Sequence, residues 1–209
     1  MRLKEKVSII TGAASGFGRG ISEKFSKEGA KLILTDINKD LLEKVSKDLN
    51  QDFFHTDVSN SSSMQKLSEY VIKKYGTIDI MVNNAGITHL PKPLEEVSEE
   101  EFDKVFAVNS KSVFLCGKFF VPQMKKQKKG SILNISSTAG ISPRPNLNWY
   151  NATKGWMITA TKAMAVELAP FNVRVNSLAP VAGETPLLKS FLGEDTPERR
   201  QAFLSTIPI

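Results

Sequence analysis

Short apolar runs alternate along this chain with longer stretches whose apolar positions recur every three or four residues. The runs are Val7–Ile10, Leu32–Thr35, Phe53–His55, Ile78–Val82, Ser131–Ser136 and Val173–Leu178. Runs with so little polar alternation predict strands covered on both faces. The stretches between them predict helices over Gly16–Glu28, Lys39–Leu49, Ser62–Lys74, Ser98–Lys126 and Tyr150–Leu168. Gly29 ends the first helix. Asn60, Ser61 or Ser62 is available to cap the third. Ser98 with Glu101 has the spacing of a capping box, in which each residue satisfies the other's free N–H. Pro122 is predicted to bend or shorten the long fourth helix near its end, because it lacks an N–H and crowds the preceding turn.

Strand and helix in regular alternation, joined by right-handed crossovers, predict an α/β fold with a doubly wound parallel sheet. The sequence shows no internal repeat and no second composition, so residues 1–209 read as a single domain. The tail beyond Pro180 is loop-like, then weakly helical, and reads as a substrate loop over about 181–205.

Composition narrows the classes. Hydrophobic residues make up 41% of the chain and charged residues 24%, which predicts a soluble globular protein. Cys116 stands alone, so no internal disulfide forms and a reducing compartment, the cytoplasm, is expected. The opening Met-Arg-Leu-Lys-Glu-Lys and the lack of a long apolar run predict neither a signal peptide nor a membrane span. The formal charge of +6 comes from lysines spread along the chain, the pattern of a solvated surface. The one cluster, Lys125-Lys126-Gln127-Lys128-Lys129, falls where a helix ends and cations are favourable. No reading motif accompanies it, so nucleic-acid binding is not expected. Two histidines and one cysteine give no metal-ligand spacing.

Two patterns carry chemistry. Thr11-Gly12-Ala13-Ala14-Ser15-Gly16-Phe17-Gly18 lies between the first strand and the first helix. Glycines there permit a tight turn and close backbone approach, and the helix start offers free N–H groups to a pyrophosphate. Asp36 ends the second strand, where a carboxylate can accept both ribose hydroxyls and repel a 2′-phosphate. Neither Ser15 nor Ile37 supplies a cation for that phosphate, so NAD is expected over NADP. Asp57-Val58 and Asn83-Asn84-Ala85-Gly86 follow the third and fourth strands, on the path of a bound dinucleotide. The second pattern is Tyr150-Asn151-Ala152-Thr153-Lys154 with Ser137 upstream. Tyr150 and Lys154, four residues apart, share one helix face.

Taken in order, these segments, with Asn109 and Asn176-Ser177-Leu178-Ala179-Pro180, resemble the short-chain dehydrogenase/reductase family in its standard-length form. The match runs from Thr11 to about Leu188. The resemblance implies a Rossmann fold and an oxidoreductase moving a hydride between NAD(H) and a secondary alcohol or ketone. It implies Tyr150 as general acid or base, Ser137 as the hydroxyl that binds the substrate oxygen, with Ser136 its rival, and Asn109 as holder of a water linking Lys154 to solvent. An ammonium about 4 Å from a phenol favours tyrosinate by ~4 kcal/mol at an effective dielectric of about 20, enough to bring a pKa near 10 down to about 7. The cofactor contacts it implies are Gly12, Ser15, Gly16, Phe17, Gly18, Asp36, Asp57, Val58, Asn84, Ala85, Gly86, Tyr150, Lys154, Pro180 and Thr185.

Two departures from the family pattern stand out. Pro180 is followed by Val181-Ala182-Gly183 where glycine usually comes at once, though Thr185 keeps its distance from Pro180. The family's last strand is also expected to be missing, since the sequence stops short of it. That makes a non-catalytic NAD-binding remnant the alternative to an active enzyme. A 3-oxoacyl thioester, a cyclic alcohol and a sugar alcohol all suit the reaction. Leu147, Trp149, Leu187, Leu188, Phe191 and Leu192 predict a mostly apolar pocket under a lid. A homo-oligomer, dimer or tetramer, is expected through the Ser98–Lys126 and Tyr150–Leu168 helices.

Overall fold

The structure, a computed structural model, describes residues 1–205 and 207. Six parallel strands form one sheet: β1 (Val7–Thr11), β2 (Lys31–Asp36), β3 (Asp52–His55), β4 (Ile80–Asn83), β5 (Gly130–Ile135) and β6 (Val173–Leu178). Their order is β3-β2-β1-β4-β5-β6, with Ile9 of β1 opposite both Ile33 and Met81. The predicted doubly wound sheet is therefore what the chain forms.

Successive strand residues point to opposite faces, and this divides the core into two layers. Ile9, Ile33, Met81, Ile132 and Val175 face one side, packed on Leu67 and Val71 of α3 (Ser61–Tyr75) and Phe120 and Met124 of α5 (Ser112–Lys126). Ile10, Leu32, Leu34, Val82 and Ile135 face the other, against Ile21 and Phe25 of α1 (Gly16–Lys27) and Leu42 and Val45 of α2 (Lys39–Leu49). Because strand order reverses between β1 and β4, the connections after those strands part and leave a cleft at the sheet's carboxyl edge.

Several boundaries differ from expectation. β4 starts at Ile80, two residues later than expected: the Ile78 N–H donates to the Gln127 side chain, while Asp79 still bonds to Val7 of β1 and Ser131 of β5 through its backbone. Asn60 is the residue that caps α3, accepting from Ser63 N. The stretch from Ser98 to Lys126 is helical but not uniform. α4 (Glu99–Phe106) opens with the expected Ser98–Glu101 capping box, passes into a wider π-turn over Ala107–Lys111, and continues as α5. Pro122 does not shorten it, since α5 runs on to Lys126.

α6 (Asn148–Leu168) begins two residues before the predicted start at Tyr150. The tail folds into α7 (Pro186–Leu192) and α8 (Pro197–Ser205). No helix among the described residues is long and apolar enough to cross a membrane.

Candidate active site

The glycine turn is locked by packing between protein segments. Gly12 has φ +66°, and a Cβ there would lie 2.9 Å from the Asn84 amide. A Cβ on Gly18 would sit 2.0 Å from the Gly12 carbonyl oxygen, so α1 can cross the end of β1 only with glycine at this position. Thr11 ties the turn to the segment after β4. Its hydroxyl oxygen accepts from Asn84 N at 2.9 Å and Ala85 N at 3.0 Å, while the Asn84 side chain donates to Thr11 O at 2.8 Å. The sequence assigned these glycines to a tight turn and to phosphate approach. The structure adds a prior reason: their side chains would collide with the protein itself.

α1, like α6, starts without a side-chain cap or an acidic residue in its first turn. Asn38, Asn60 and Ser98 cap α2, α3 and α4, whereas Ser15 makes no side-chain cap and no acidic residue stands in the first turn of α1. That end of the helix keeps its N–H groups and positive dipole for an anion. At the end of β2, the Asp36 carboxylate accepts from Ala14 N at 3.1 Å and Asn38 N at 2.9 Å, which fixes its orientation. Asp57 is held by Ser59, whose hydroxyl donates to it at 2.6 Å.

β5 and α6 build the other end. Tyr150 and Lys154 are both buried on one face of α6. The Lys154 ammonium donates to the Ile135 carbonyl at 2.9 Å and lies 5.8 Å from the centre of the Tyr150 ring. Burial lowers the Lys154 pKa to about 8. Burial also raises that of Tyr150, and the neighbouring Ser137 hydroxyl opposes the rise. Desolvation of the phenolate is the dominant influence on Tyr150 in this arrangement, with the Lys154 ammonium 5.8 Å from the ring centre.

The two serines divide as pleating requires. Ser136 donates its hydroxyl to Lys154 O at 2.9 Å and is occupied in the scaffold, whereas Ser137 stands beside Tyr150. Asn109 sits in the π-turn, fully buried. Its side chain accepts from Ile87 N at 2.9 Å and donates to Ile87 O at 2.9 Å and Thr153 Oγ1 at 3.0 Å. Those bonds take up the amide, so its visible work is to clamp the segment after β4 to α6.

The catalytic and cofactor-binding residues expected from the sequence, Gly18 and Asn109 excepted, line one cavity of about 480 Å³. It runs from Asp36 past the glycine turn to Tyr150. The tail roofs it: Thr185 packs over Gly16, Gly183 lies on the Phe17 ring, and Phe191 of α7 meets the Tyr150 ring edge-on at 5.1 Å. Leu187, Leu188 and Phe191 line the cavity as expected, but Leu147, Trp149 and Leu192 do not. Leu147 and Leu192 are buried in packing, and Trp149 turns outward onto Phe102, ring centres 5.5 Å apart.

The sequence reading missed Ile87, Lys104 and Val108, which also line the cavity. Lys104 and Val108 are four residues apart and adjoin Asn109, a spacing that could have revealed them. Among the described residues, no three His, Cys, Asp or Glu side chains gather as a metal site would require.

The profile of the short chain dehydrogenase family matches residues 6–195. The chain is 40% identical to 4-formylbenzenesulfonate dehydrogenase TsaC1/TsaC2 of Comamonas testosteroni, over 100% of this chain and 85% of that protein. It is 42% identical to 3-oxoacyl-[acyl-carrier-protein] reductase FabG of Thermotoga maritima, with the same coverage. Among solved structures, 3-ketoacyl-(acyl-carrier-protein) reductase from Brucella melitensis, complexed with NADH, superposes with a TM-score of 0.92 at 43% identity, covering 98% of this chain and 84% of that one. The chain belongs to the short-chain dehydrogenase/reductase family, oxidoreductases that use a nicotinamide cofactor.

Proposed function

We propose that this chain is an NAD-dependent oxidoreductase interconverting a secondary alcohol and a ketone. The observation that carries the reading is a single cavity with an uncapped helix start and a fixed carboxylate at one end, and a buried Tyr-Lys pair with a serine hydroxyl at the other. The donor set suits a dinucleotide. The α1 amino terminus receives the pyrophosphate, and Asp36 receives the ribose hydroxyls. NAD is favoured over NADP because a 2′-phosphate would meet the Asp36 carboxylate, with Ser15 and Ile37 offering no compensating cation. When bound, the nicotinamide supplies or accepts the hydride.

The chain's own residues handle the proton and the oxygen. Ser137 binds the substrate oxygen, and the Tyr150 hydroxyl gives its proton to that oxygen as the ketone becomes an alcohol. The relatives are named for a dehydrogenase of 4-formylbenzenesulfonate and a reductase of a 3-oxoacyl group, two carbonyl compounds that differ in what surrounds the carbonyl.

The test has two readouts. NADH should bind more tightly than NADPH by fluorescence titration, and Tyr150→Phe should keep that binding while losing turnover by a factor on the order of 10² to 10⁴ on a ketone panel. Full activity in the Phe variant would remove Tyr150 from its role, and equal NADPH affinity would remove Asp36 from its own.

We also propose that α4, α5 and α6 pack against a second copy of the chain. Phe102, Phe106, Phe114 and Trp156 are exposed on those helices, and Phe106 meets Trp156 with ring centres 6.3 Å apart. An aromatic row of this kind is what a buried interface selects.

A further inference from the structure

Residues 181–185 form a strap over the cavity, between Pro180 and α7. One end is fixed by Thr138 N, which donates to Pro180 O at 3.0 Å. The other is fixed by α7, where Leu188 N donates to Thr185 O at 3.0 Å and Leu188 and Leu192 are buried. Between these ends, Val181, Ala182, Gly183 and Thr185 line the cavity. Gly183 lies on Phe17 and Thr185 on Gly16, and such contacts have no direction. Among the described residues, no backbone group of residues 181–184 makes a hydrogen bond.

The strap's polar tie comes from α8. Arg200 donates to the two Glu184 carboxylate oxygens at 3.0 and 3.2 Å. Its other N–H groups hold Asp195, Nε at 2.5 Å and Nη2 at 2.9 Å. An isolated exposed ion pair contributes little, because two long side chains must be ordered to form it. Here Asp195 already orders the guanidinium, so its planar fork is in place for Glu184. Arg199, the preceding residue, works at a different joint. It donates to Leu192 O at 2.8 Å and pairs with Glu194 at 3.3 Å, which fastens α8 to the end of α7. Phe203, three residues beyond Arg200, lines the cavity. The helix to which the strap is tied is therefore itself part of the wall.

We propose that Arg200 is a positioning residue for the dinucleotide: by holding Glu184 it keeps the strap down over the bound cofactor and sets the rate at which the cofactor leaves. This rests on the oxidoreductase reading for what lies beneath the strap. It adds a release step governed by an ion pair in solvent, and hence by salt.

The experiment measures NADH release from the full chain by stopped-flow fluorescence, with excess NAD⁺ preventing rebinding. Arg200→Gln and Glu184→Gln should each speed release about two- to fivefold, the range an exposed ion pair allows. Their side chains are 41% and 79% exposed, so neither change empties a core. The two changes together should speed release no more than either alone, because both break one contact. Arg200→Lys, which keeps the charge without the fork, should fall in between. Wild-type release should quicken as sodium chloride is raised from about 0.01 M to about 1 M, over which the screening length drops from roughly 30 Å to roughly 3 Å. Salt also acts on the dinucleotide's own phosphates, and Arg200→Gln isolates that part. The wild-type response should exceed it by about two- to fivefold, the factor gained by breaking the pair.

An Arg200→Gln variant that releases NADH at the wild-type rate overturns the proposal. So do Arg200 and Glu184 substitutions whose effects add, or a salt response that survives unchanged in Arg200→Gln. If the wild-type chain binds no NADH, the oxidoreductase reading fails instead. Amide hydrogen exchange at Gly183, Glu184 and Thr185 in the chain alone then decides for or against Arg200. Exchange quickened by Arg200→Gln supports the tie, and equal exchange in the two chains removes it.

Discussion

At the scale of single residues, two glycines of one helix make opposite predictions. Gly18 has no room for a methyl, since its Cβ would be 2.0 Å from the Gly12 carbonyl, whereas Gly20 has nothing within 4 Å. Gly18→Ala should force the turn open and abolish measurable NADH binding. Gly20→Ala, on an exposed helical position, should stabilise the chain by about 0.5–1 kcal/mol in urea melts, the difference in helix propensity. Lys154 makes a prediction in pH. Its pKa falls from 10.5 to about 8 on burial. Below pH 8 the folded chain carries a desolvated ammonium and bears the full penalty, about 3 kcal/mol. Between pH 8 and 10.5 the unfolded chain holds more protons, so stability contributed at this site rises with pH. Wild type should therefore gain on Lys154→Met by about 2 kcal/mol between pH 7 and pH 10, measured by urea unfolding at each pH. An unchanged difference would show that Lys154 is not desolvated as described.

At the scale of elements, the sequence was most legible where one physical rule acts alone. The Ser98–Glu101 capping box, the helix face shared by Tyr150 and Lys154 and the doubly apolar strands depend on local spacing, and all are where that spacing put them. The π-turn over Ala107–Lys111 was not legible. It is a deviation of a few residues within a helical pattern, and what its buried Asn109 meets, Ile87 and Thr153, is a matter of tertiary contact. Asn134 shows a signal that was available and passed over. It is a polar residue in the otherwise apolar run Ile132-Leu133-Asn134-Ile135. Fully buried, it bridges the sheet to α6, accepting from Asn83 at 2.8 Å and donating to Thr161 at 2.8 Å. The aromatic row on α4 to α6 yields this scale's prediction. Trp156→Glu should convert the assembly to a smaller species by sedimentation while the isolated fold survives, because Trp156 is 38% exposed and its loss empties no core. A wild-type chain that sediments as a monomer at every concentration would exclude the interface.

At the scale of the whole molecule, strand order places chemistry. Reversal between β1 and β4 brings Asp36, the glycine turn and Tyr150, far apart in sequence, to one edge of the sheet. The location of the site at that edge followed from topology. The closure above it did not, because it depends on how Gly183 fits a particular ring. A Cβ on Gly183 would lie 2.5 Å from the Phe17 Cζ. Such a fit bears on the tempo of the cycle. A cofactor seated beneath this segment can leave only when ring and loop separate, so each exchange of spent for fresh dinucleotide has its own barrier, distinct from bond-making. The expected signature is a kcat that falls as solvent viscosity is raised and is insensitive to deuterium on the transferred hydride. The latch, on this view, keeps time for the chemistry it covers.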